Sequence, residues 1–264
     1  MFDNEMKDVL NEAADEGTEV DVVSLKRGPW HVEYHYYESL VLVDMLHKVK
    51  EAENRGYDAA VLGCFYDIGL HEAREVSEQM VVTAPAESTM TTACSLGNKF
   101  SIVVGRKKWI PQMMSNVTRY GLEGRLASFK VIDMGVLDFQ RRPEETRKRQ
   151  LEAATDAVEK DAAESIILGC TAEFGFWREL QRKLGVPVLD PVITPLKHAE
   201  YLAGLKNKFG WSHSKVGEYE SPPLDEIARW KLEEQYGTNV WSGQFEKGQR
   251  TSEKNQRSIK RALR

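Results

Sequence analysis

The segments Tyr57-Asp58-Ala59-Ala60-Val61-Leu62-Gly63-Cys64 and Ala163-Glu164-Ser165-Ile166-Ile167-Leu168-Gly169-Cys170 share one pattern, a short apolar run that closes on Leu-Gly-Cys. They stand 106 residues apart, and the same shift carries Gly69 onto Gly175 and Pro85 onto Pro191 without a gap. One frame that superposes a strand, its Leu-Gly-Cys end, a downstream glycine and a later proline reads as two copies of a βαβ unit. The expected fold is α/β: two pseudo-twofold-related half-domains, each a parallel sheet flanked by helices, with the active site in the cleft between them.

The flanking sequence continues the alternation. Further strands are expected at Glu19 to Leu25, Met80 to Thr83, Phe100 to Gly105, Phe129 to Met134 and Val186 to Leu189, from Val- and Ile-rich runs. Segments of helical period are expected near 37–54, 71–78, 87–96, 109–120, 143–160, 174–184 and 194–209. Residues 1–98 and 187–209 are assigned to the first half-domain, 99–186 to the second, and 210–264 to a C-terminal extension. That extension holds Trp211, Trp230 and Trp241, three of the six tryptophans. Its first half is therefore expected to pack on the body or on a neighbouring subunit. Its basic end, with seven Lys or Arg against two Glu from Glu246 to Arg264, is expected to be disordered.

Composition narrows the function. A net charge of −5, with 36 basic and 41 acidic side chains spread along the chain, argues against a nucleic-acid surface. No apolar run approaches the ~18 residues a bilayer requires. The first twenty residues carry seven acids and one lysine, the opposite of a secretory leader. Three cysteines without a CxxC pair suit reduced thiols in a cytoplasmic protein better than disulfides or structural zinc. His198 and His213 have no second ligand at helical spacing and read as packing residues, so no metal is expected.

The repeat then supplies chemistry. Ligands of parallel sheets bind beyond the carboxyl ends of strands, where following helices direct free N–H groups outward. Cys64 and Cys170 each end such a strand. An isolated cysteine in a strand is ordinarily a small hydrophobe, and Cys94, inside a helix and outside the repeat, is read that way. Two symmetry-related thiols at a helix start are different: each is expected to have a lowered pKa. One could remove a proton from a carbon acid while the other returns a proton to the opposite face, which is stereoinversion without a cofactor.

The same residues carry a family resemblance. Gly63-Cys64-Phe65-Tyr66-Asp67-Ile68-Gly69-Leu70, followed by Ala73-Arg74, resembles the first cysteine motif of hydantoin racemases. Ile166-Ile167-Leu168-Gly169-Cys170-Thr171-Ala172-Glu173 is similar to the second cysteine motif of the wider aspartate/glutamate/hydantoin racemase superfamily. Arg27-Gly28-Pro29, His35-Tyr36-Tyr37-Glu38, Ala86-Glu87, Tyr120-Gly121-Leu122-Glu123 and Gly185-Val186-Pro187-Val188-Leu189-Asp190 match as well. The resemblance implies a cofactor-independent racemase, expected to be a homo-oligomer, acting on a small molecule such as a 5-substituted hydantoin or related cyclic ureide. Cys64 and Cys170 take the places of the acid/base pair. Phe65, Asp67, Glu87, Gly169 and Thr171 fall where the substrate is expected, with Asp67 also suited to orienting the Cys64 loop. Asp67, Glu87 and Thr171 are equally suited to helix capping.

Three departures stand out. Ile68 occupies the place of a proline, and Phe174-Gly175-Phe176-Trp177 is bulkier than the small residues that usually follow the second motif. Family members also open with a strand, whereas this chain enters a helix-like segment at once; a start upstream of Met1 is the favoured explanation over loss of a central strand. Other readings stay open: an acidic amino-acid racemase, a decarboxylase or a cis–trans isomerase of a small acid, with Arg27 or Arg74 holding a carboxylate, or a non-catalytic ligand-binding or subunit-interaction protein.

Overall fold

A computed structural model describes residues 2–242; the basic stretch 246–264 expected to be disordered lies outside the described residues. Helix α1 (Asp3–Ala13) and helix α2 (His35–Asn54) precede strand β1 (Ala59–Val61), helix α3 (Leu70–Val76), strand β2 (Val81–Thr83) and helix α4 (Pro85–Leu96). Strand β3 (Phe100–Val104), helix α5 (Ile110–Arg119), strand β4 (Leu126–Val131), helix α6 (Pro143–Asp161), strand β5 (Ser165–Leu168), helix α7 (Trp177–Leu184) and strand β6 (Val188–Leu189) follow. Helix α8 (Ile193–Phe209) and the short helices α9 (Leu224–Arg229) and α10 (Leu232–Tyr236) complete the described chain. Among the described residues no helix is long and apolar enough to cross a membrane.

All strand pairs are parallel, in a four-stranded sheet of order β4-β3-β5-β6 and a two-stranded sheet β1-β2. Strands β3 and β5 are buried along their whole length, which is why they read as unbroken apolar runs instead of alternating ones. Ile102, Val103, Ile166 and Ile167 meet Met90 and Ala93 of α4, Met113 and Val117 of α5, Ala154 and Ala157 of α6 and Leu180 of α7 in the main core. Each such side chain taken from water contributes about 1.5–3 kcal/mol. A smaller core joins Val49, Leu62, Leu70, Ala73, Met80 and Val82 around β1 and β2.

The repeat holds at the level of register. Ile166 pairs with Val188 and Ile167 with Leu189; shifted by 106, these become Ala60 with Val82 and Val61 with Thr83, the pairs of the small sheet. Gly69 and Gly175 both take the left-handed conformation at the start of the helix that follows (φ 68° and 82°). Pro85 opens α4, and Pro191 stands just before α8.

Two expectations change. Residues 187–189 belong with the second sheet, because Val188–Leu189 pairs with β5; the first half-domain resumes with α8, which packs on β1 and β2. Glu19 to Leu25 forms no strand. Its alternating Val20 and Val22 pack with Leu10, Phe174, Val192 and Leu196, so the apolar face that mimicked a strand is used against helices and loops.

Residues 211–242 lie on the first half. His213 Nε2 accepts the N–H of Val82 at 2.8 Å, giving a partner to the outer edge of β2. Lys215 Nζ donates to the carbonyls of Arg74 and Glu75 at the end of α3, at 2.7 and 3.0 Å, and Ser221 Oγ donates to Glu75 at 2.9 Å. Asn54 Nδ2 donates to the Val240 carbonyl, and the Lys50 ammonium lies over the Trp241 ring.

Candidate active site

Cys64 follows β1 and Cys170 follows β5, and each starts a tight turn of the same form. The N–H of Asp67 returns to the carbonyl of Cys64 at 3.0 Å, and that of Glu173 to the carbonyl of Cys170 at 2.8 Å. The N–H of the second residue on, Tyr66 in one turn and Ala172 in the other, faces the thiol and favours its ionised form. Thr171 Oγ1 donates to the Gly63 carbonyl at 3.1 Å, so the two turns meet directly. The two thiols lie within electrostatic range of each other.

Both thiols are free and partly exposed at the level of the residue. The expected lowering of their pKa is not found. Burial pushes Cys64 up to about 12, with the charges of Glu38 and Asp67 adding to it. Burial and the Glu173 charge push Cys170 well above its ordinary value. The expectation rested on helix starts, yet a single 3-10 turn (Thr171–Glu173) follows Cys170 and α3 begins only at Leu70. One turn carries little of a helix dipole, and desolvation of the thiolate prevails.

The acidic residues three places after each cysteine are repeat mates, again 106 apart. Asp67, in the left-handed region, accepts from the N–H groups of Ala86 and Glu87 at 2.8 Å and from the Tyr120 hydroxyl at 2.7 Å. It thereby pins the Cys64 turn to the start of α4. Burial raises its pKa to about 7 in spite of these donors. Glu173 is fully buried, accepts from Gln150 Nε2 at 2.8 Å and leaves Oε2 without a partner; burial raises it to about 8. The sequence reading missed Glu173, although the shift that paired the cysteines also pairs it with Asp67.

Other expected residues have structural duties. Phe65 is buried in the main core. Both Glu87 carboxylate oxygens accept from Arg74, whose guanidinium also donates to the Val82 carbonyl. Glu87 and Arg74 line a cavity of about 360 Å³ with His198, Trp211 and His213, and neither cysteine borders it. Gly169 is glycine for packing reasons: a Cβ there would stand 2.5 Å from the Val103 carbonyl oxygen, whereas at Gly63 it would meet nothing within 4 Å. Asp67 and Thr171 hold the turns together; Gly169 sets the position of Cys170.

Two glutamates join the site from outside both motifs. Glu33 accepts from Arg106 at 2.8 Å, the Trp109 indole at 3.3 Å and the Val136 N–H at 3.2 Å, and its charge reaches Cys170. Glu38, on the first turn of α2, accepts from Gln112 Nε2 at 2.8 Å, while its buried Oε1 has no hydrogen-bond partner. Its charge reaches Cys64. Only tertiary folding brings these two to the thiols; Glu38 closes the matched segment His35-Tyr36-Tyr37-Glu38, whereas no matched segment holds Glu33. The surroundings of the sulfurs are thus desolvated and rich in carboxyl groups, of which Glu33 is paired with Arg106 and burial holds a proton on Glu173 at neutral pH.

Comparison with known proteins agrees in kind. The profile described as Asp/Glu/Hydantoin racemase matches residues 4–199. A hydantoin racemase of Pseudomonas sp. (strain NS671) is 37% identical over 214 residues, 81% of this chain and 84% of that protein. One from Paenarthrobacter aurescens is 33% identical, over 81% of this chain and 89% of its own. The solved structure of allantoin racemase from Klebsiella pneumoniae superposes with a TM-score of 0.77 at 29% identity, covering 83% of this chain and 87% of that one.

Proposed function

The chain belongs to the Asp/Glu/hydantoin racemase family, and from that premise we propose that it inverts the stereocentre of a 5-substituted hydantoin or related cyclic ureide, with Cys64 and Cys170 as the two acid/base groups. The observation that carries this reading is the hydrogen bond from Thr171 to Gly63, which joins the two cysteine turns and supports two thiols acting on one bound ring. The thiolate of one cysteine takes the proton from the stereocentre, the electron pair moves onto the neighbouring carbonyl oxygen, and the thiol of the other returns a proton to the opposite face. A thiolate held in a desolvated cleft is a stronger base than one in water. The carbanion at C5 of a hydantoin is delocalised as an enolate onto the one adjacent carbonyl, C4, so the barrier is within its reach.

The acidic amino-acid alternative needs a cation for the substrate carboxylate. Its two candidates are engaged elsewhere: Arg27 pairs with Asp44 and Arg74 with Glu87. Glu38, whose charge reaches Cys64, opposes an anion as well.

The test is proton NMR in deuterium oxide on single enantiomers of 5-benzylhydantoin, with optical rotation followed in parallel. Loss of rotation together with deuterium uptake at the stereocentre is the expected result, and Cys64→Ser or Cys170→Ser each abolishes it. Absence of exchange, or an unimpaired double variant, overturns the reading.

A further inference from the structure

We propose that the cavity beside Arg74 and Glu87 is a second small-molecule site, one that takes an uncharged cyclic amide or ureide carrying an apolar substituent. It lies apart from the cysteine turns, since neither thiol borders it, and it does not depend on the racemase reading.

Size and walls fit a small molecule. A volume of about 360 Å³ falls in the range of ligand pockets, which are mostly apolar with a few polar groups that fix orientation. Leu202 and Leu205 of α8 and the Trp211 indole supply the apolar wall. Trp211 is 64% exposed and stacks on Phe209, with ring centroids 5.0 Å apart, so a flat aromatic face stands at the mouth.

Charge decides the class of ligand. The five N–H groups of Arg74 are all engaged, with the Val82 carbonyl, both oxygens of Glu87 and the Tyr219 hydroxyl. An anion finds no free donor on the guanidinium, and a cation finds Glu87 already neutralised. The other two ionisable groups on the wall, His198 and His213, are held neutral by burial, which lowers the pKa of both. Such a wall offers an ion nothing in exchange for its hydration.

Neutral hydrogen-bonding groups remain. Each Glu87 oxygen accepts from Arg74 and keeps a lone pair for a further donor. His213 takes the Val82 N–H at Nε2, so its neutral ring carries a proton on Nδ1. His198 Nδ1 lies 3.0 Å from Ser88 Oγ, which leaves its Nε2. An acceptor on Glu87 and a donor on His213 match the N–H and C=O that a cyclic amide presents side by side, while Leu202, Leu205 and Trp211 take the substituent.

Equilibrium dialysis of racemic 5-benzylhydantoin against the full-length chain tests the site, because turnover leaves a racemate unaltered. Leu205→Trp fills the cavity with an indole and is expected to bind one molecule fewer per chain than the parent at about 2 mM probe, the affinity scale of so small a ligand. Thermal melting checks that the variant is folded; where it is not, Leu202→Phe on the same wall takes its place. Phenylpropanoate and phenethylamine, an anion and a cation of similar size, are expected to bind parent and variant alike. Equal hydantoin binding by the parent and a folded variant overturns the site, and loss of either ion on substitution overturns its uncharged class. A parent that takes up no deuterium yet loses one bound molecule on substitution overturns the substrate reading of the cysteines and leaves this site standing.

Discussion

Thiols with pKa values raised as those of Cys64 and Cys170 are hold their protons at neutral pH, so the reactive thiolate is a minor species that grows as pH rises. With a 3-methylated hydantoin, whose imide nitrogen cannot ionise, kcat/KM is therefore expected to climb by about tenfold per pH unit between pH 7 and 9. A plateau across that range would mean a thiol whose pKa is lowered below about 7. Asp67 and Glu173 couple pH to stability in the opposite sense. Their pKa values rise from 3.8 to about 7 and from 4.5 to about 8 on folding. The folded chain thus holds protons that the unfolded chain has released, and stability falls as pH increases from about 4 to about 8. Thermal melts are expected to show this decline, and Glu173→Gln to flatten its upper part. At this scale the repeat made the cysteines legible and would have made Glu173 legible too. Glu33 was out of reach because its pairing with the site is made by the fold, and Glu38, though inside a matched segment, gave no sign of its place beside Cys64. The thiol pKa was misread because a helix start was assumed where one turn stands.

The shift of 106 residues predicted matching elements, and the strand pairs β1-β2 and β5-β6 match down to their register. What the alternation of apolar residues could not reveal is whether a partner stands beside each strand. Strand β5 has β3 on its other side; among the described residues β1 has no such neighbour, and Glu19 to Leu25, which imitates a strand in sequence, is used elsewhere. The two glycines before the cysteines report this difference. Gly169→Ala would drive a methyl group into the Val103 carbonyl and is expected to destabilise the fold by about 1–3 kcal/mol while displacing Cys170. Gly63→Ala enters open space and is expected to change stability by less than about 0.5 kcal/mol. Denaturant titrations of the two variants check the contrast, and equal losses would mean that β3 does not crowd the end of β5.

Across the molecule, residues 211–242 clasp the small first sheet through His213 and the end of α3 through Lys215 and Ser221. Aromatic content predicted packing there, but the clasp itself, a histidine ring accepting from a strand N–H, has no signature in sequence. His213 accepts through Nε2 and must be neutral to do so. Burial lowers its pKa from 6.5 to about 4, so its contribution is present above pH 6.5 and is lost as pH falls toward 4. His213→Ala is expected to cost about 1–2 kcal/mol at pH 7 and much less at pH 4, read from melts at the two pH values. The unlike cysteine turns, one with Asp67 and the other with Glu173, have a consequence for kinetics. Mirror-image substrates have equal free energies, so kcat/KM must be the same for both enantiomers, as the Haldane relation requires. Halves that differ in this way can meet that condition only by compensation: the enantiomer bound more tightly is also turned over more slowly, and the unlike KM values become a measure of how far the two copies have diverged.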